Sequence, residues 1–199
     1  MRILLKVVFC LVAIPLTFGA ALALLIYPFM RRSRFFRTFE HELTHMIAAK
    51  VFFAKMESLK VHASGNGEVR YSRASNFVIA LAPYFLPLFA SVLLVLIPII
   101  DPKIAVWFLV PVGFLLAHHL VASLEEAFSG QPDISEPGRV FSIFVIALFG
   151  ILVYGAFISF AAGGGHQAIG FYKSIPAKSW WIATTWVPSV YRDIHAMLR

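Results

Sequence analysis

Residues 4–45 read LLKVVFCLVAIPLTFGAALALLIYPFM, then RRSRFFRTFE, then HELTH. Leu4 to Met30 is an apolar run of membrane length. Arg31, Arg32, Arg34 and Arg37 close it with a basic cluster, and His41-Glu42-Leu43-Thr44-His45 follows almost at once. The run is longer than the apolar core of a secretory signal and long enough to span, so it reads as a retained membrane helix. On a second helix from about Phe35 to Phe53, positions i and i+4 share a face. That lets both imidazoles grip one Zn²⁺ while Glu42, one residue round, faces the water the metal activates. Three ionisable groups on one helical face beside lipid need a compensating partner, and a metal is the natural one.

The rest of the chain agrees with a lipid setting. It is 60% hydrophobic and 14% charged with mean hydropathy +0.82, which no ordinary soluble domain shows. The single cysteine, Cys10, excludes an intrachain disulfide and any zinc site built on several thiolates. The net charge of +7 is carried by basic residues beside apolar runs, where they anchor at the interface, so the bilayer and not nucleic acid is the expected partner. The density of the four arginines favours a cytoplasmic position for that face.

Residues 55–76 alternate polar and apolar around Gly65-Asn66-Gly67 and predict a β-hairpin. A third span follows from Phe77 to Ile100, interrupted by Pro83 and Pro87. A fourth runs from Ile104 to about Leu124 and a fifth from Val140 to Ala162, separated by a loop rich in glycine and proline. The tail from residue 166, with Trp180, Trp181 and Trp186, reads as an interfacial segment or a weak final helix. The expected fold is an all-α polytopic membrane protein of about five transmembrane helices, with a small β-hairpin inserted after the HExxH helix. It forms one domain over residues 1–199, with its core at 35–150, in a bacterial-type inner or plasma membrane.

Catalytic zinc takes three protein ligands and keeps one position open, so His41 and His45 need a partner from elsewhere in the chain. Asp133 is one candidate, in Gln131-Pro132-Asp133-Ile134 ahead of the fifth span, where it also reads as a helix cap. His118 and His119 are a second, being ionisable groups inside an apolar span, although only one of two adjacent residues is expected to face the bundle core. Glu125 and Glu126 are a third, giving a His-His-Glu set.

The HExxH helix early in a membrane chain, the hairpin after it and the Pro-Asp element before a later span resemble the site-two protease family of intramembrane zinc metalloproteases. The resemblance covers roughly residues 35–150. It implies that His41, His45 and Asp133 hold the zinc and that Glu42 is the catalytic base. It also implies a membrane protein substrate cut in or near a transmembrane helix that must locally unwind. The chain departs from the family pattern at Thr44, where glycine is frequent, and at Ile134, where glycine often follows the aspartate. The hairpin is a candidate for capturing the unwound strand by edge pairing. His118, His119 or Gln131 is expected to stabilise the transition state. Two other readings fit the same residues: a membrane zinc protease with Glu125 as third ligand, acting on soluble or lipidated peptides, and a non-catalytic metal-binding scaffold.

Overall fold

The structure is a computed structural model that describes residues 2–30, 34–61, 67–72, 76–190 and 192. Its helices are α1 (Arg2–Met30), α2 (Arg34–Val51), α3 (Phe77–Phe85), α4 (Leu88–Leu96), α5 (Pro102–Ala105), α6 (Leu109–Ala127), α7 (Pro132–Ser135) and α8 (Arg139–Trp181). Between α2 and α3, strands β1 (Lys55–Val61) and β2 (Gly67–Ser72) pair antiparallel from Lys55 opposite Ser72 to Val61 opposite Gly67. A bulge falls between Met56 and Ser58. Residues 62–66, with the expected Gly65-Asn66 turn, lie outside the described residues.

Among the described residues, three helical stretches are long and apolar enough to cross a membrane: Val12–Met30, Lys103–Ala127 and Arg139–Val190. A fourth crossing is available if the bent pair Phe77–Phe85 and Leu88–Ile99, angled by 69°, counts as one span. The expectation of five is therefore too high. The excess is α2, whose 18 residues include Arg34, Arg37, Glu40, Glu42 and Lys50 and so cannot face lipid. The tail is helical. α8 is broken internally at Gly163 and Gly164, and Gly164 takes φ of 69°, which its missing side chain permits. The chain then doubles back, because Phe171 packs on Gly155 and the Tyr172 hydroxyl donates to the Leu152 carbonyl.

α1 lies against α6 at backbone contact distance. A side chain at Gly19 would meet the Val110 carbonyl, and one at Gly113 would meet the Leu16 carbonyl, so both positions need glycine for the helices to approach. α2 ends in a Schellman turn: the Phe53 N–H donates to the Lys50 carbonyl at 3.0 Å and the Ala54 N–H to the Ala49 carbonyl at 2.8 Å. Phe53 takes the left-handed position, φ 57°, that glycine usually fills. This turn aims the chain into β1. Behind it, Ala48 and Ala49 of α2 pack with Ile79, Ala82 and Phe85 of α3, and with Ile134 of α7 and Val145 of α8. That core joins α2 to the segment carrying Asp133.

The two prolines of the third span explain its bend. Leu86 is extended and Pro87 precedes α4, so the helix stops and restarts. Pro83 and Pro87 have no N–H to offer the residues four before them, which leaves the carbonyls of Ile79 and Pro83 without helical partners. Both find histidines. The Ile79 carbonyl accepts from His45 Nδ1 at 3.0 Å, and the Pro83 carbonyl from His119 Nε2 at 2.9 Å. At the restart, where Pro87 supplies no side-chain cap, the Glu40 carboxylate of α2 accepts from the Phe89 N–H at 3.1 Å.

Candidate metal centre

His41 and His45 lie one turn apart on α2, and their Nε2 atoms are 3.1 Å apart. Asp133, the second residue of α7, brings Oδ2 to 3.4 Å from His41 Nε2 and 3.3 Å from His45 Nε2. α7 is held in place by Ile134, which is buried in the core, and by the Ser142 hydroxyl donating to the Ile134 carbonyl at 3.0 Å. The loop before α8 therefore turns inward to the HExxH helix. Strict membrane crossings do not have to return Asp133 to that level.

The outer nitrogens decide what the inner ones can do. His41 Nδ1 lies 3.0 Å from Glu126 Oε2 and His45 Nδ1 lies 3.0 Å from the Ile79 carbonyl. An ionised carboxylate and a carbonyl only accept, so in each neutral ring Nδ1 carries the proton and Nε2 presents a lone pair. Two imidazole lone pairs and a carboxylate oxygen then converge with no proton to share among them, and this arrangement needs a cation. Donors around a tetrahedral Zn²⁺ with bonds of ~2.0–2.2 Å stand about 3.3–3.6 Å apart, close to the separations seen here. The three residues thus form a group that can hold a metal ion.

Without a metal, a proton on His41 supplies the positive charge. Burial opposes that charge, but the hydrogen bonds to Asp133 and Glu126 outweigh it and raise the His41 pKa to about 9. Burial would likewise raise Asp133, yet its hydrogen bonds to His41 and His45 hold its carboxyl well below the usual range. Burial pushes the Glu42 pKa up, and the neighbouring His41 and His45 partly counter it. Glu42 lies under the start of β2: a side chain at Gly67 would run into Glu42 Cγ and Thr38 Cγ2.

Behind His41 runs a chain of charges. Glu126 Oε1 is 2.9 Å from Arg37 Nε, and Arg37 Nη1 is 3.4 Å from Glu125 Oε2, which also accepts from the Tyr27 hydroxyl at 2.9 Å. Glu125 is thereby occupied away from the three ligand atoms, and its neighbour Glu126 is the acid that reaches the centre, as the partner of His41. Thr44, fully buried, donates to the Glu40 carbonyl at 2.7 Å, which satisfies its hydroxyl inside the helix. Glu40 is buried as well, and burial raises its pKa to about 7.

The remaining expected site residues are placed elsewhere. His118 sits among the rings of Tyr27, Phe36 and Phe114. His119 bonds the Tyr154 hydroxyl at 2.7 Å and the Pro83 carbonyl. Both are buried, on different sides of α6, which packs against α1 on one side and against α3 and α8 on another. Gln131 is the N-cap residue of α7 and makes no side-chain cap hydrogen bond. Glu126 as an orienting group, Pro83 as the source of a free carbonyl, Glu40 as a cap and Tyr84, whose ring meets His41 edge-on at 5.3 Å, were missed by the sequence reading. Only the prolines left a signal, since a proline four residues after a carbonyl always strips it of its helical donor.

A family model described as peptidase M50B-like matches residues 10–130, a stretch that contains His41, Glu42 and His45 and ends just before Asp133. No curated protein and no solved structure matches the chain.

Proposed function

The chain belongs to the peptidase M50B-like family, and from that premise we propose that it is a zinc-dependent membrane endopeptidase with Glu42 as its catalytic base. The observation that carries this reading is the meeting of His41 Nε2, His45 Nε2 and Asp133 Oδ2, each ring's other nitrogen being committed to an acceptor, beside a partly buried glutamate. Zn²⁺ held there supplies Lewis acidity and brings the pKa of water toward neutrality. Glu42 accepts the proton of the attacking water and returns it to the leaving amine, two transfers favoured by a carboxyl whose pKa burial has raised. Glu126 and the Ile79 carbonyl hold the two imidazoles in the tautomer and orientation that ligation requires.

The substrate is a membrane protein cut in or near a transmembrane segment. A helical peptide bond is shielded by its own hydrogen bonds, so the segment must be extended when it reaches Glu42. Among the described residues β1 and β2 pair only with each other, so an edge of the pair beside the base can hold an extended segment by main-chain pairing, and the close approach of Gly67 to Glu42 supports that role. α1, α6, α8 and the bent pair α3–α4 would cross the bilayer, giving a multi-pass protein of an inner or plasma membrane.

The test is reconstitution in lipid vesicles with single-span reporter proteins. Cleavage is expected to stop on chelation, return with added Zn²⁺, and be absent in Glu42→Gln although that variant retains zinc. Equal cleavage by Glu42→Gln would overturn the assignment.

A further inference from the structure

We infer that Tyr84 is a further catalytic residue, its hydroxyl donating a hydrogen bond to the carbonyl oxygen of the peptide bond under attack. The inference rests on the proposed hydrolytic reading of the same site. Tyr84 is 3% exposed, and its ring meets His41 at 5.3 Å and 90°. Its hydroxyl is shut off from solvent and makes no full hydrogen bond, with the Asp133 carboxylate as its nearest acceptor in a loose approach. A buried hydroxyl left in that state destabilises the fold unless a bound group accepts from it. The charges that act on it are those of Asp133, Glu126 and Glu42, the acids of the metal centre. Tyr84 thus holds a donor with no full partner beside the metal centre, where an oxygen acquires negative charge during hydrolysis.

The other candidates for that task are bonded already or, like His118 with its unpartnered Nδ1, enclosed among other rings. Both ring nitrogens of His119 are bonded, to Tyr154 and to Pro83. His118 is enclosed by aromatic rings on the α1 side. Gln131 sits at the start of α7. The position of Tyr84 is also built in from two sides. It lies between Pro83 and the break at Leu86-Pro87, and the carbonyls that these prolines set free tie α3 to His45 and His119.

Tyr84→Phe removes the donor and keeps the ring against His41. With the single-span reporter in vesicles, kcat is expected to fall about 100-fold while KM stays within twofold. A peptide phosphonamidate, which mimics the tetrahedral state, should bind the variant about 100-fold more weakly, and the parent peptide should bind as before. Zinc content and zinc affinity should not change, and the melting temperature should not fall, because a buried unsatisfied group has been removed. A kcat within threefold of wild type, or phosphonamidate binding that is unchanged, would overturn the inference. So would a tenfold loss of zinc affinity, which would mean that the hydroxyl acts through Asp133. Glu42→Gln run in parallel separates the two levels: cleavage by that variant would overturn the hydrolytic reading itself, whereas an inactive Glu42→Gln beside a fully active Tyr84→Phe would remove only the role of Tyr84.

Discussion

Replacing Glu126 with alanine removes the acceptor that fixes His41. The His41 Nδ1 to Glu126 Oε2 contact is 3.0 Å, and the two side chains are only 12% and 14% exposed, so solvent screens it weakly. A charge-assisted hydrogen bond in such a setting is worth about 1.5–3 kcal/mol, and each 1.4 kcal/mol is a factor of ten in binding. Zinc affinity should therefore weaken about 10- to 100-fold, the range typical of losing a group that orients a metal-binding histidine. The variant also leaves Arg37 with Glu125 as its acid partner, which adds to the disturbance around His41. The assay is competition between the detergent-solubilised protein and a chromophoric zinc chelator. Glu125→Gln is the control, since Glu125 touches Tyr27 and Arg37 but neither histidine, and it should change affinity less than threefold. Zinc binding by Glu126→Ala within twofold of wild type, or equal weakening in Glu125→Gln, would refute this role of Glu126.

Zinc must displace the proton on His41, so apparent zinc affinity should rise close to tenfold per pH unit until the pH reaches about 9 and then level off. The same shift stabilises the metal-free protein fully below the ordinary histidine pKa of 6.5, and that stability is lost as pH rises through 9; the gap in melting temperature between zinc-loaded and chelated protein should widen over that interval. Pro83→Ala restores an N–H that competes with His45 for the Ile79 carbonyl, so zinc affinity should drop several-fold even as the helix gains up to ~3 kcal/mol of intrinsic propensity, read by chelator competition and thermal melting. Gly113→Leu drives a side chain into the Leu16 backbone and should destabilise the protein by roughly 2–4 kcal/mol in a denaturant titration, whereas Phe53→Gly relieves a left-handed residue and should stabilise it by ~1 kcal/mol.

Helical periodicity made His41, Glu42 and His45 legible, because residues four apart must share a face whatever surrounds them. Asp133 was legible only through the resemblance of its Pro-Asp setting, since nothing local tells a cap from a ligand. The choice between Glu125 and Glu126 was out of reach. Adjacent residues point about 100° apart, and which one turns to His41 depends on how α6 rolls against α1 and α2. The backbone carbonyl that orients His45 was hidden for a related reason: Pro83 advertises a freed carbonyl, but the helix that comes to use it is a matter of packing. The count of five includes α2, a helix of membrane length whose charges exclude it from lipid. Such a helix belongs inside the bundle, and that is where its metal site is assembled.

The zinc content of purified Asp133→Ala, measured beside wild type and Glu125→Gln, tests the centre most directly. Wild type and Glu125→Gln are expected to carry one zinc per chain, and Asp133→Ala to carry little or none after the same dialysis. Full retention of zinc by Asp133→Ala, or its loss from Glu125→Gln, would contradict the ligand set His41, His45 and Asp133.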